Sequence, residues 1–540
     1  MKTSTEVSPD KLRGGFYSPD ALVDVCLDRV LELLGGRDRV AVLEPSAGDG
    51  SFLRGLSRHV LAGHVGAVTA VELIPDEAVK AARVLSESGL RGRVVTASVL
   101  DPTSVPELHD VAVGNPPFLR FQFVSDSDRR YIEKFGKRLG VPFKGVSNLW
   151  IPVLLTALNN LRDGGVFSFI IPAECFTGLS ARTVRSWLSQ HATQLRVDLF
   201  PPGSFPRVLQ EVVVLSGQIT RGAAHGVKVF VYDHVQQDSW RHVLDESAPT
   251  WTGLLLRPDH LEAVSTALAL PEVVPLGKIA KLSVATVTGA NDYFCVDDAT
   301  RTLFELGAWT RPLLDRVRHA PGLMYTADDQ ETNHAAGHPS WLVDSRLATE
   351  PTAGALAYVS NGEARGLHKR FKTRIRSPWW QVPVVPAGAL MLSKRSNHFP
   401  RLVQNFAGAV TTDTVYQGSP LAAFAGRERD IVGSFHNSLT LLTAEMNGRS
   451  FGGGVLELVP SEIASLALPL ATTPEDSFAR LDRLVRDRGA ENYALVDATD
   501  TYLMQHLGLD HDMWRLVADA RRMLRDRRLA RNSAVRALPK

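Results

Sequence analysis

Over the first 220 positions apolar residues follow two alternating rhythms. Short apolar runs, the mark of buried strands, alternate with stretches repeating every three to four residues, the mark of helices against a core. Leu22, Val25, Cys26, Val30 and Leu33 share one helical face, with Ser18 as N-cap, Pro19 at the first helical position and Gly35-Gly36 at the end. A strand from Val40 runs into a glycine-containing turn, and a helix follows over 51–61. The spacing then predicts strands over 67–72, 93–97, 111–114, 166–171, 195–200 and 212–219, with helices over 76–88 and 148–161. Such alternation predicts an α/β fold, a doubly wound and mostly parallel sheet, with ligands beyond the carboxyl ends of its strands. After about residue 220 the rhythm changes to short strands and loops rich in Gly, Pro and Thr, and the last seventy residues read as helical. The expected organisation is a domain over 1–245, a mixed α+β domain over 250–470 and a helical segment over 471–540.

Composition narrows the class. A chain of 540 residues is too long for one ordinary domain, and 44% hydrophobic with 22% charged residues is ordinary for a globular protein. The net charge of +2 requires any nucleic-acid surface to be a local patch. Cys26, Cys175 and Cys295 match neither a metal nor a disulfide spacing, which favours a reducing cytoplasm. No signal peptide or long apolar run is present, so secretion and membrane spanning are not expected.

Candidate chemistry falls at the strand ends. Glu44-Pro-Ser-Ala47-Gly48-Asp-Gly50 opens a helix, and its glycines let backbone approach a ligand. Glu72 ends the next strand, 22 residues after Gly50, near the spacing at which a carboxylate meets ribose hydroxyls. The run Val111 to Gly114 feeds Asn115-Pro116-Pro117-Phe118. The Asn115 side-chain oxygen and the Pro116 carbonyl can each accept a hydrogen from an exocyclic amine, the prolines hold the loop extended, and Phe118 offers a stacking face. Acceptors preset around an amine that gains positive charge stabilise the transition state more than the ground state. The other reading is a strand followed by a proline-stiffened turn.

The ordered set of segments resembles the gamma-class N6-adenine DNA methyltransferases, which use S-adenosylmethionine. Phe16-Tyr-Ser-Pro comes first, then Leu43-Glu-Pro-Ser-Ala-Gly-Asp-Gly-Ser-Phe, Val71-Glu72, Asn115-Pro-Pro-Phe, Asn148-Leu-Trp, Ile171-Pro-Ala-Glu and Phe205-Pro. The resemblance implies a class I, Rossmann-like methyltransferase domain. It implies that Tyr17, Ser18, Glu44, Ala47, Gly48 and Gly50 surround the methionine part of the cofactor, that Glu72 takes the ribose, and that Asn115, Pro116 and Phe118 are catalytic. Phe205 matches an aromatic position near the extruded base, or is a core Phe. Ser98 stands where the family has an aspartate on the cofactor adenine, so either Ser98 makes that contact or Asp101 reaches back. Val287 to Phe294 and Gly452 to Glu462 resemble pieces of the family's target-recognition domains.

Residues 365–376 hold six Lys or Arg and no acid, and Trp379-Trp380 follow. Lys369, Arg370, Lys372, Arg374 and Arg376 are the expected phosphate contacts, the bland reading being a solvated face. Lys394-Arg395 can add to that surface, and 521–536, with seven Arg and one Asp, is either a DNA-backbone arm or a helix end. The expected partner is double-stranded DNA, with no membrane, a monomeric state and, where an endonuclease exists, a separate protein without stable contact. The chain starts almost directly at the cofactor motif, so no cutting activity is expected. Rival readings are a protein-glutamine methyltransferase, a cytosine-N4 methyltransferase and a catalytically silent DNA-binding specificity protein.

Overall fold

The computed structural model describes residues 17–140, 143, 148–178, 180–201, 203–205, 211–222, 225–245, 248, 250–348, 350–451, 453–489 and 491–536, the side chains of 451 and 531–536 excepted. Phe16, Gly452 and Pro206, named above, lie outside the described residues. The chain divides into two compact units, residues 1–258 with 530–540, and residues 259–529.

The first unit is built on a sheet that, among the described residues, has nine strands: β1 (Val40–Glu44), β2 (Val65–Glu72), β3 (Gly92–Thr96), β4 (His109–Gly114), β5 (Leu161–Pro172), β6 (Ala192–Leu199), β7 (Val212–Ile219), β8 (Lys228–Asp233) and β9 (Asp238–Val243). Their order is β3-β2-β1-β4-β5-β7-β6-β8-β9. The first five in that order run parallel, and β7 is antiparallel to both β5 and β6. Val42, Val68, Val111, Val166 and Ile170 are buried because helices cover both faces of a parallel sheet, which is why these strands read as continuous apolar runs.

Helix α1 spans Asp20–Leu34 and closes on Gly35 in the left-handed conformation. Its N-cap is Pro19 rather than Ser18, because Pro19 sits at ψ 139° and its carbonyl receives the first helical bonds from Leu22 and Val23. Helix α2 spans Ser51–Arg58, α3 Pro75–Glu87, α4 Asp126–Arg138 and α5 Trp150–Asn159. The expected helix over 148–161 gives up its last residues to β5, where Leu161 pairs with His109 across a register shift.

The sheet continues past β7. β8 runs parallel to β6 and β9 antiparallel to β8. This moves the boundary from 245–250 to 258, since Trp240 Nε1 donates to the Leu254 carbonyl at 2.9 Å and His242 Nε2 to that of Leu256 at 2.8 Å.

The second unit holds a five-stranded sheet, in order Ala280–Ser283, Val415–Pro420, Leu390–Ser393, Leu402–Asn405 and Met324–Tyr325. Helices Glu475–Arg488 and Ala494–Leu507 group with it rather than with a separate C-terminal segment. Asp482 accepts from the backbone of Leu323 and Met324 at 2.7 and 3.0 Å, and Arg486 reaches Asp329 at 2.7 Å. These bonds satisfy sheet-side groups that would otherwise be buried unpaired.

Candidate functional site

The carboxyl ends of β1, β2 and β4 open onto a cavity of roughly 700 Å³. Its wall brings together Tyr17, Ser18, Glu44, Ala47, Gly48, Glu72, Ser98 and Asn115, so most residues singled out in the sequence meet in one place. Gly50, Pro116, Phe118 and Phe205 are not part of the wall.

The glycine turn is held by its neighbours. Gly48 and Gly50 take φ of 54° and 85°, and a Cβ on Gly50 would lie 3.1 Å from the Val84 Cβ on α3. Ala47 N–H donates to the Val71 carbonyl, and Gly48 N–H to Glu72 Oε2, both at 2.8 Å. The other Glu72 oxygen accepts from Ile74 N–H at 2.8 Å. A carboxylate oxygen has two lone pairs, so Glu72 fixes the turn and keeps acceptor capacity for a ligand. Ser46 Oγ donates to the Asn115 carbonyl at 3.1 Å, which ties the glycine turn to the Asn-Pro-Pro loop.

The wall is acidic. Glu44 is 2% exposed, and its Oε2 has no hydrogen-bond partner among the described residues. Burial raises its pKa well above the usual carboxylate range, and Asp49 and Glu72 add to the effect. A cation placed here would reverse that penalty.

Ser98 lies in the wall, and its hydroxyl donates to Asp128 Oδ1 at 2.5 Å. Asp128, 6% exposed in the first turn of α4, also lines the cavity and accepts from Ser125 Oγ at 2.8 Å. Asp101 does not reach back: it accepts from Tyr131 Oη at 2.9 Å and from Thr103 N–H and Oγ1, bonds that lower its pKa, with the Thr103 backbone foremost. Asp128 is a polar wall residue that the sequence did not point to. Its only local signal is the Ser125-x-x-Asp128 spacing of a helix start, which says nothing of a partner thirty positions upstream.

Pro116 is buried, and Phe118 is half-buried against the main core of this unit. Phe205 is 3% exposed within that core, so the core reading of this ring holds and it presents no open face to a base. Cys175 is buried outside the cavity wall, and burial pushes its thiol up.

In the second unit the basic run is only partly as expected. Lys369, Arg370, Lys372 and Arg374 are exposed. The run is opposed by an acid after all, since Arg365 and Arg370 reach Asp292 at 3.2 and 3.4 Å. Arg376 is withdrawn from the surface set, because its guanidinium donates to the carbonyls of Val287 and Thr288 at 2.7 Å each. Trp379 is buried against Tyr293 and Phe294. Arg395 pairs with Glu457 at 2.6 Å. Arg521 and Arg528 are both buried, which removes them from the proposed backbone arm.

The sheet order, the glycine turn at the end of β1 and the acid at the end of β2 are those of the class I fold of S-adenosylmethionine-dependent methyltransferases. Two stretches of the chain are similar to methyltransferases of type II restriction–modification systems. Residues 248–504 match the C-terminal domain of the type II methyltransferase M.Eco57I, and residues 104–201 match the Eco57I restriction-modification methylase family. Type II methyltransferase M.AccI of Acinetobacter calcoaceticus is 20% identical over 377 residues, covering 66% of this chain and 68% of its own. M.BanIII of Aneurinibacillus aneurinilyticus is 25% identical over 202 residues, 34% of each chain. Among solved structures, the type IIL restriction-modification enzyme MmeI in complex with DNA shares the fold at TM-score 0.54 and 12% identity, over 94% of this chain and 76% of that one.

The residues present fit the cofactor. Its positive charge suits the acidic wall of Glu44, Asp49 and Glu72, and its ribose hydroxyls suit the remaining lone pairs of Glu72. Val99, Pro117, Leu149 and Val153 supply apolar wall for a flat base.

Proposed function

We propose that the chain is a site-specific DNA methyltransferase acting on the N6 amine of an adenine rotated out of duplex DNA. The supporting observation is the placement of Asn115 in the wall of the cofactor cavity, joined to the glycine turn through Ser46. S-adenosylmethionine supplies the electrophilic methyl group. The Asn115 side-chain oxygen and the Pro116 carbonyl accept the two hydrogens of the target amine and aim its lone pair. As the amine gains charge these acceptors tighten, so their contribution is larger in the transition state. Phe118 keeps its open half for stacking, and Phe205 belongs to the core cluster it packs against. A base in a duplex is out of reach of such a site, hence the rotation. We place the enzyme in the cytoplasm, acting as a monomer and separate from any cognate endonuclease.

The test is incubation of the full chain with duplex DNA and methyl-labelled cofactor, followed by nucleoside analysis. N6-methyladenine is the expected product. N4-methylcytosine, or label found only in protein, would overturn the reading.

In this reading Asp128 replaces the missing aspartate at 98 and accepts from the cofactor's adenine amine, its carboxylate held by Ser98 and Ser125. Asp128→Ala is expected to weaken binding of S-adenosylhomocysteine by about 1–3 kcal/mol, the cost of leaving a polar group unpaired. The same change leaves affinity for the inosine analogue, which lacks the amine, nearly unaltered. Calorimetry with both compounds checks this, and an equal loss for the two would reduce Asp128 to a helix-capping role.

We assign DNA-backbone contact to Lys369, Arg370, Lys372 and Arg374 in the second unit. Arg374→Ala is expected to weaken binding similarly on cognate and scrambled duplexes and to lower the salt slope by about one. An unchanged slope would place the backbone contacts elsewhere.

A further inference from the structure

The loop that carries these cations also carries two large apolar side chains turned to solvent. Phe371 is 65% exposed and Ile375 is 70% exposed. Their neighbours hold the loop down. Leu367 and Thr373 are fully buried, and Thr373 Oγ1 donates to the carbonyls of Leu367 and Arg370. Arg376 is bonded to Val287 and Thr288, and a Cβ on Gly289 would lie 2.7 Å from the Lys372 Cβ, so the backbones pack closely there. Anchors and projections therefore alternate along one fixed loop.

Exposed apolar side chains on a fixed loop mark a surface that meets a partner. The charges around them indicate its chemistry. Lys372 Nζ lies 5.6 Å, and the Arg374 guanidinium 5.4 Å, from the Phe371 ring centre, with Lys369 and Arg370 also exposed. Asp292 engages Arg365 and Arg370, and among the described residues Lys372 and Arg374 have no acidic partner. An apolar tip rimmed by cations complements a ligand with anionic rails outside and flat apolar layers within, which describes duplex nucleic acid.

We propose that Phe371, with Ile375 four residues on in the same loop, forms a wedge that enters the base stack of duplex DNA while Lys372 and Arg374 hold the flanking phosphates. Such wedges unstack one base step and kink the duplex by about 20–90°. The inference rests on the DNA reading given above and adds base-stack insertion to it.

The test uses the full chain and an end-labelled duplex of about 30 base pairs carrying its methylated sequence, found beforehand by sequencing modified host DNA. Wild type is expected to bind and to raise energy transfer between the duplex ends. Phe371→Ala should weaken binding roughly five- to a hundredfold, the range for a base–aromatic contact, and abolish the rise in transfer. Because phenylalanine carries no charge, the salt slope should stay at the wild-type value, whereas Arg374→Ala should lower it. Phe371→Trp should restore both affinity and bending. Wild-type affinity and bending in Phe371→Ala, with a lowered slope in Arg374→Ala, would overturn the wedge and leave the DNA reading standing. No duplex binding by the wild type, or capture of the loop by an acidic protein instead, would overturn both.

Discussion

Asn115→Ala is expected to lower the methyl-transfer rate by a factor of order a hundred or more, with cofactor affinity nearly unchanged. The side chain sits at the end of β4, in the wall of the cofactor cavity. Its backbone carbonyl takes the Ser46 hydroxyl, a bond that survives loss of the amide. The substitution therefore removes one acceptor for the reacting amine and leaves the glycine turn in place. A donor or acceptor acting mainly in the transition state is worth roughly 10²–10³ in rate. Single-turnover kinetics with saturating cofactor, beside calorimetry on S-adenosylhomocysteine, separates the two effects. A variant that turns over normally would end the role assigned to the loop, and one that loses cofactor would make Asn115 a scaffold residue.

The catalytic half is legible in the sequence because its strands are buried on both faces. Val40 to Leu43 and Val212 to Leu215 are continuous apolar runs, and the residues bearing chemistry follow the strand ends directly. β9 escaped that reading because it is the edge strand and Asp238-Ser-Trp-Arg-His-Val buries only its tryptophan, and β8 because it alternates buried Val229 and Val231 with less buried positions instead of forming a continuous apolar run. Asp128 escaped it for another reason. Its role depends on a contact with Ser98 that only the tertiary fold creates. The basic run shows the same limit from the other side. Counting charges within 365–376 finds no acid, yet Asp292, 78 positions from Arg370, stands against it. Nor does a charge count distinguish Arg374, which is exposed, from Arg376, which is spent on backbone carbonyls.

The largest loss of stability is expected at Arg528→Ala. Arg528 and Glu445 have side-chain exposures of 3% and 7% and meet through two bonds, Nη2 to Oε1 at 2.7 Å and Nε to Oε2 at 2.8 Å. The same guanidinium donates to the carbonyls of Asn397, His398 and Gly454. Removing it strands a buried carboxylate and three acceptors together. Breaking a buried pair from one side costs about 3–5 kcal/mol, whereas replacing both partners by apolar residues costs far less. Arg528→Ala should therefore lower the denaturant midpoint of the second unit sharply, and Arg528→Met with Glu445→Leu should recover much of the loss. An equal loss in the double variant would shift the weight to the carbonyl bonds.

The way the final helices are built into the second unit bears on how that unit could be exchanged between related chains. The 259–529 unit has a β-rich body and a helical end, and a graft cut near residue 470 would move the body alone. Such a graft would leave Leu323 and Met324 without Asp482, Asp329 without Arg486 and Glu445 without Arg528. On the proposed reading, in which the second unit contacts DNA, a chimera has to take that unit from a single parent through residue 529, or change surface side chains one at a time on an intact frame.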